Sequence, residues 1–259
     1  MGGVCAAHPD AVVWASDAGS REEAAAWAER LALPLTSTDG PDLGVVLEVG
    51  PEGLALRLGQ GPRVTAASRA LARRRVGGRD LLLRAVGRLE EGAVVVDATA
   101  GLGADAFHLA VNGVRVHMIE RHPLVAALLQ DVLWRTGAGH EGEDARQAAA
   151  RLSLSVGDAR FLLGGIDPAP SVVLLDPMYP DAGKRALPNK GMALFRALVG
   201  TDADADEMLQ AALRVALKRV VVKRPRRGAL LGAGAPAPSG SVVGTTTRYD
   251  LYAPIRPGT

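Results

Sequence analysis

The sequence predicts an α/β protein in which a mostly parallel sheet carries helices on both faces, with a small N-terminal α+β appendage. Three observations predict it. From residue 93 onward, short apolar runs alternate with stretches of helical period, the pattern of strands joined by crossover helices. The first of these runs, Val94-Val95-Val96-Asp97, leads into a glycine turn around Gly101-Leu102-Gly103 and then into a helical stretch. Finally, the 259 residues are 48% hydrophobic and 22% charged, which is ordinary usage for a folded domain and not for a disordered, collagen-like or coiled-coil chain.

Taken in order, residues 1–60 form the appendage: an apolar segment at 11–14, then a helical run at 21–31 bearing Arg21, Glu22, Glu23, Glu29 and Arg30. Strands follow at 43–49 and 54–58, and Gly50-Pro51-Glu52-Gly53 between them supplies the backbone angles of a hairpin turn. No chemistry is evident there. Residues 61–90 are a basic connecting segment, with eight arginines between 63 and 90 against Asp80 and Glu90. Residues 91–259 are the main domain. Strands are expected at 93–96, 114–119, 152–156, 171–175 and 219–222, and helices at 105–111, 123–134, 190–198 and 205–217. One or two further strands fit 242–252. A second basic block, 214–227, holds seven cations and no acid, offset by Asp202, Asp204, Asp206 and Glu207. Either block alone reads equally well as a solvated face. Two of them around one core favour a phosphate backbone as partner, because guanidinium forks match phosphate oxygens.

The net charge of +2 does not by itself demand a polyanion. The single cysteine, Cys5, excludes an internal disulfide framework and a Cys-based zinc site, and the five histidines lack ligand spacing, so no metal is expected. No secretory leader is recognisable, and the longest uncharged stretch, 228–247, is broken by Gly, Pro and Ser. The expected location is the cytoplasm, away from membranes. Oligomeric state is not legible.

The chemistry concentrates at strand ends. Gly101, Gly103 and Ala106 also fit a dinucleotide-binding turn, so the glycines alone leave the ligand open. Asp97 distinguishes the two readings: a carboxylate four residues before the first glycine suits a cationic amino acid group better than a pyrophosphate. This arrangement resembles motif I of the class I methyltransferases, which implies their Rossmann-like fold and S-adenosyl-L-methionine as cofactor. Glu120 ends the next strand, seventeen residues after Gly103, where an acid can accept both ribose hydroxyls. Beside it, Arg121 either contacts the cofactor or faces solvent. Asp158, in Gly157-Asp158-Ala159, is either an adenine contact or a strand-end turn.

The fourth strand ends in Asp176-Pro177-Met178-Tyr179-Pro180, which resembles the Asp/Asn-Pro-Pro-Tyr/Phe motif of amino-methyltransferases. An exocyclic amine is a poor nucleophile because its lone pair is delocalised into the ring. The Asp176 carboxylate and the Pro177 carbonyl can accept its two N–H groups, while Tyr179 stacks on the base. Methylation at a pyrimidine carbon usually needs a cysteine nucleophile, and Cys5 lies outside the domain. His108, His117 and His122 are read as packing or surface residues.

Residues 96–107, Glu120-Arg121 with 123–129, Asp176-Pro177-Met178-Tyr179-Pro180, 218–225 and 248–253 together resemble the RsmJ family over about 73–253. The resemblance implies methyl transfer from S-adenosyl-L-methionine to the N2 amine of a specific guanosine in 16S ribosomal RNA, with that RNA or the small ribosomal subunit as partner. It implies cofactor contacts at Ala104, Asp105, Glu120, Arg121, Asp158, Ala159 and Asp176, beside Asp97, Gly101 and Gly103. A compared family member has Arg at the position of Ala104 and a Ser pair at Asp158-Ala159, so side-chain contacts there do not carry over; backbone contacts can persist, and Asp158 can take over an adenine contact. Arg73, Arg74, Arg75, Lys223 and Arg224 are expected to bind RNA phosphates. Adenine-N6 methylation uses the same motif and remains the alternative reaction; a non-catalytic RNA-binding assembly factor and a NAD-dependent oxidoreductase are disfavoured by Asp176-Pro177-Met178-Tyr179.

Overall fold

The structure, a computed structural model, describes residues 10–36, 44–66, 80–140, 142–178, 198, 204–231 and 236–255. The N-terminal part begins with β1 (Ala11–Ala15), α1 (Arg21–Leu31), β2 (Leu35–Thr36), β3 (Val45–Gly50) and β4 (Gly53–Leu58). These strands form a sheet of order β2-β1-β3-β4, parallel except for the β3–β4 hairpin expected from its Gly-Pro-Glu-Gly turn. Trp27, Ala24 and Ala28 line the buried side of α1, one turn apart as a helix packed on a sheet requires.

The remaining described strands are β5 (Val94–Asp97), β6 (Arg115–Glu120), β7 (Leu152–Val156), β8 (Val172–Leu175), β9 (Arg219–Pro225), β10 (Gly240–Val243) and β11 (Thr247–Tyr252). They form a second sheet, ordered β10-β11-β9-β8-β5-β6-β7. Strands β5 to β9 are mutually parallel where they pair, and β11 inserts antiparallel between β9 and β10. The tail therefore supplies two strands. Because the chain moves one way from β5 through β6 to β7 and the other way from β5 to β8, a crevice opens at the carboxyl ends of β5 and β8.

Six further helices are described: α2 (Leu81–Val86), α3 (Ala104–Val111), α4 (Pro123–Gly137), α5 (Glu143–Ala149), α6 (Ala159–Leu162) and α7 (Ala205–Val215). Strand alternation explains why helices cover both faces. Val95, Val172, Leu174 and Val221 enter one apolar cluster with Phe107, Leu109 and Leu128, whereas Val96, Val173, Leu175, Val220 and Val222 enter another with Leu209 and Leu213. The first cluster continues without a break into Val13, Leu47, Leu56 and Trp27 of the N-terminal sheet.

The basic segment 61–90 closes in α2, whose Leu82, Ala85 and Val86 are buried and whose N-terminus is capped by Asp80. Three consecutive leucines outweigh its charge. Helix α5 is not among the helices expected from the sequence; its Ala145, Ala148 and Ala149 pack inward. Apart from Leu198, the expected helix at 190–198 lies outside the described residues. Among the described residues, no helix is long and apolar enough to cross a membrane.

Candidate active site

A cleft of about 280 Å³ opens at the carboxyl ends of β5, β6, β8 and β9. That volume suits one nucleoside-sized ligand and not a nucleic-acid duplex. Its floor is the turn between β5 and α3. Gly103, with φ +80°, caps α3, and a Cβ there would lie 2.8 Å from Leu129 Cδ2. Only glycine lets the turn pass this close to α4 without strain.

Glu120 organises the turn from the neighbouring strand. It is 6% exposed, its Oε2 accepts the Gly101 N–H at 2.8 Å and its Oε1 accepts the His122 N–H at 2.7 Å. Each carboxylate oxygen has a second lone pair, so the same group can still receive a ribose hydroxyl. Asp97 is 3% exposed and its Oδ1 accepts the Thr99 N–H at 3.3 Å. Burial, reinforced by the negative charge of Asp105, pushes the Asp97 carboxyl up to about 8. A buried acid of this kind is a ready counter-charge for a cationic amino group, and the donor set fits S-adenosyl-L-methionine.

The far side of the cleft is an ion-pair network. Arg121 Nη1 lies 2.9 Å from Asp204 Oδ2, and Arg160 Nη2 lies 3.2 Å from the same oxygen. Arg121 thus ties the end of β6 to the start of α7. Asp158 caps α6 by accepting the Arg160 N–H at 2.9 Å, and its Oδ2 lies 2.6 Å from Arg160 Nη2. Burial alone would raise the Asp158 carboxyl, but the Arg160 guanidinium and N–H outweigh it and hold it low.

At the mouth, the Asp176 N–H donates to Thr99 Oγ1 at 2.6 Å, which fixes the end of β8 against the glycine turn. The Asp176 side chain is 44% exposed and so reachable by a substrate. Lys223 Nζ lies 2.9 Å from Asp176 Oδ2 and 2.8 Å from Asp105 Oδ2. Burial would lower the Lys223 ammonium, but the two carboxylates outweigh it and keep it protonated. Tyr249, cross-strand partner of Lys223, has its phenol raised by burial and then by Asp105.

Asp97, Gly101, Ala104, Asp105, Glu120, Arg121, Asp158, Ala159 and Asp176, scattered over about eighty residues, all line this one cleft, with Gly103 beneath it. Pro177 is buried directly after Asp176. Tyr179, Arg73, Arg74 and Arg75 lie outside the described residues. The histidines behave as packing groups: His108 Nε2 meets Asp80 Oδ2 at 2.9 Å, His117 bridges Ser153 and Ser155, and His122 is buried before α4.

Lys223 and Arg224, expected among the phosphate contacts, do not project from the open surface. Strand β9 runs on to Pro225, so the two alternate to opposite sides: Lys223 turns into the cleft, and Arg224 is only 5% exposed. The exposed cations at that strand end are Arg226 and Arg227. Met208 of α7 and Lys223 also line the cleft, and sequence reasoning missed both. Continuing the alternation of Val220-Val221-Val222 by one residue places Lys223 on the face of Val221 and would have found it; nothing local marks Met208.

A family model described as "Putative SAM-dependent methyltransferase" matches residues 27–254. A relative from Pseudomonas aeruginosa named "Ribosomal RNA small subunit methyltransferase J" is 45% identical over 257 residues, covering 95% of each chain. A relative of the same name from Thioalkalivibrio sulfidiphilus is 45% identical over 242 residues, covering 90% of this chain and 93% of that one. A crystal structure of a SAM-dependent methyltransferase from Neisseria gonorrhoeae is 34% identical, with a TM-score of 0.73 and coverage of 94% and 96% of the two chains.

Proposed function

The chain belongs to the ribosomal RNA small subunit methyltransferase J family, and we propose that it methylates the N2 amine of a specific guanosine in 16S ribosomal RNA. S-adenosyl-L-methionine, when bound, supplies the methyl group on a sulfonium. Asp97 would hold the amino group of the cofactor's amino acid part, Glu120 the ribose, and the rim from Arg121 to Ala159 the adenine side. With that substrate the protein acts in the cytoplasm, on free RNA or on a small subunit.

One observation carries the reading. Asp176 presents an accessible carboxylate in the same cleft as Asp97 and Glu120, at the end of the strand adjoining the glycine turn. Asp176 and the Pro177 carbonyl accept the two N–H groups of the amine and leave its lone pair aimed inward, with Tyr179 stacking on the base. As the new N–C bond forms, the nitrogen sheds one proton, and Asp176 is placed to accept it. Catalysis here is chiefly positioning. Exposed Arg226 and Arg227, with Arg73, Arg74 and Arg75, would meet RNA phosphates.

Asp176→Ala tests this assignment. Turnover should fall by roughly 100-fold or more, the scale of a lost positioning group, while cofactor affinity changes by less than about threefold. Wild-type turnover with unchanged cofactor affinity would show that Asp176 does not hold the amine.

A further inference from the structure

We infer that Lys223 is a positioning residue for the transfer, bridging Asp105 and Asp176 so that the Asp176 carboxylate stays charged and aimed at the incoming amine. The inference rests on the reading of Asp176 just given and assigns the role of a residue that it leaves out.

Of the five carboxylates that line one small cleft, Asp97, Asp105 and Asp176 lie on the side of Lys223, whose ammonium meets the last two. Like charges in a partly dry site cannot all stay ionised without a counter-ion. Asp97 lies deepest and yields, its carboxyl raised to about 8. Asp176 is the carboxylate required to accept N–H groups, and a protonated Asp176 would offer one oxygen as a donor instead. Lys223 Nζ stands 2.9 Å from Asp176 Oδ2 and 2.8 Å from Asp105 Oδ2, so the ammonium is held from two elements, β8 and α3. Its side chain is 27% exposed and shares its face of the sheet with buried Tyr249, directly opposite on β11. Its ammonium is held at the tip by two carboxylates and does not project freely into solvent.

The described groups whose charge is felt at Asp176 include Lys223 and, from the other side of β9, Arg224, with Asp105 from α3, Asp97 from β5 and Tyr249 from β11. Lys223 Nζ is in ion-pair contact with the Asp176 carboxylate. Its removal should therefore raise the carboxyl's titration point, and removal of Asp105 should lower it, because Lys223 would then serve Asp176 alone.

The experiment follows the Asp176 carboxyl carbon by NMR in cofactor-free wild-type, Lys223→Met, Lys223→Arg and Asp105→Asn protein, with Asp176→Asn for assignment. The pH profile of single-turnover methyl transfer to saturating 16S RNA is measured in parallel. In Lys223→Met, the Asp176 titration should move up by about one pH unit or more, and the acid limb of the rate profile should move with it. The rate below neutrality should fall about tenfold, with RNA affinity within about twofold of wild type. Lys223→Arg should restore most of the profile, and Asp105→Asn should shift the titration downward even if Lys223→Met is too unstable to purify. An unmoved titration and pH profile, combined with weaker RNA binding and a salt slope reduced by about one, would make Lys223 a phosphate contact and overturn the inference. Titration shifts as expected, with no methyl transferred to guanine by the wild type, would uphold the Lys223–Asp176 coupling and overturn the substrate reading instead.

Discussion

Asp97 shows how one buried side chain links stability to cofactor binding. With its carboxyl raised to about 8, the folded free protein keeps a proton that the unfolded chain has lost above about pH 4. The folded state thus binds more protons across that window, and Asp97 makes stability decline as pH rises from about 4 to about 8. A cationic amino group reverses the preference by favouring the charged form. Calorimetry at pH 7 in buffers of different ionisation enthalpy should therefore detect net proton release on S-adenosyl-L-methionine binding. Asp97→Asn should abolish that release and weaken binding by about tenfold or more; undiminished release would assign the proton to another group. The position of Asp97 was legible from its spacing to Gly101. Its shifted titration was not, because the causes, burial and the charge of Asp105, come from the folded arrangement.

The β3–β4 hairpin and α4 show what sequence reveals about an element and what it withholds. Gly50-Pro51-Glu52-Gly53 announced the turn, and the hairpin pairs through Gly50 and Gly53. Its docking could not be read, because the partners are far away in sequence: the Leu54 N–H donates to Asp131 Oδ2 at 2.9 Å and Arg135 Nη2 donates to the Pro51 carbonyl at 3.0 Å. Gly53, with φ +96°, sits where an added Cβ would fall 2.4 Å from Asp131 Oδ2 and 2.9 Å from Arg135 Cδ. Gly53→Ala should therefore cost about 1–3 kcal/mol in denaturant unfolding, from the strained backbone and the displaced carboxylate, while turnover at low temperature persists. A change below about 0.5 kcal/mol would mean that the turn and α4 separate readily. Strand β9 carries the complementary lesson. Its apolar residues were legible, but the strand continues through Lys223 and Arg224, whose charges look like a surface patch until the period of two is carried through them.

Across the whole molecule, the order of the α/β core and the place of the cleft followed from apolar runs, a glycine turn and acids at strand ends. The continuous core joining the N-terminal sheet to the face of α3 and α4 did not, since contacts between distant segments leave no local pattern. The basic blocks were legible as sums of charge, yet folding divides the second one. Lys218 pairs with Glu90, Lys223 enters the cleft, Arg224 is buried, and Arg226 and Arg227 remain exposed. A net charge of +2 therefore conceals a sorted distribution, with cations left at the edge where Asp176 is accessible.

The central claim is tested most directly by methyl transfer from radiolabelled S-adenosyl-L-methionine to naked 16S RNA and to small subunits from a strain lacking the cognate enzyme, followed by nucleoside analysis. The account predicts label in N2-methylguanosine, with the better of the two substrates showing when in assembly the protein acts. Label in N6-methyladenosine would contradict the guanine assignment while leaving the fold and the amine-holding role of Asp176 in place.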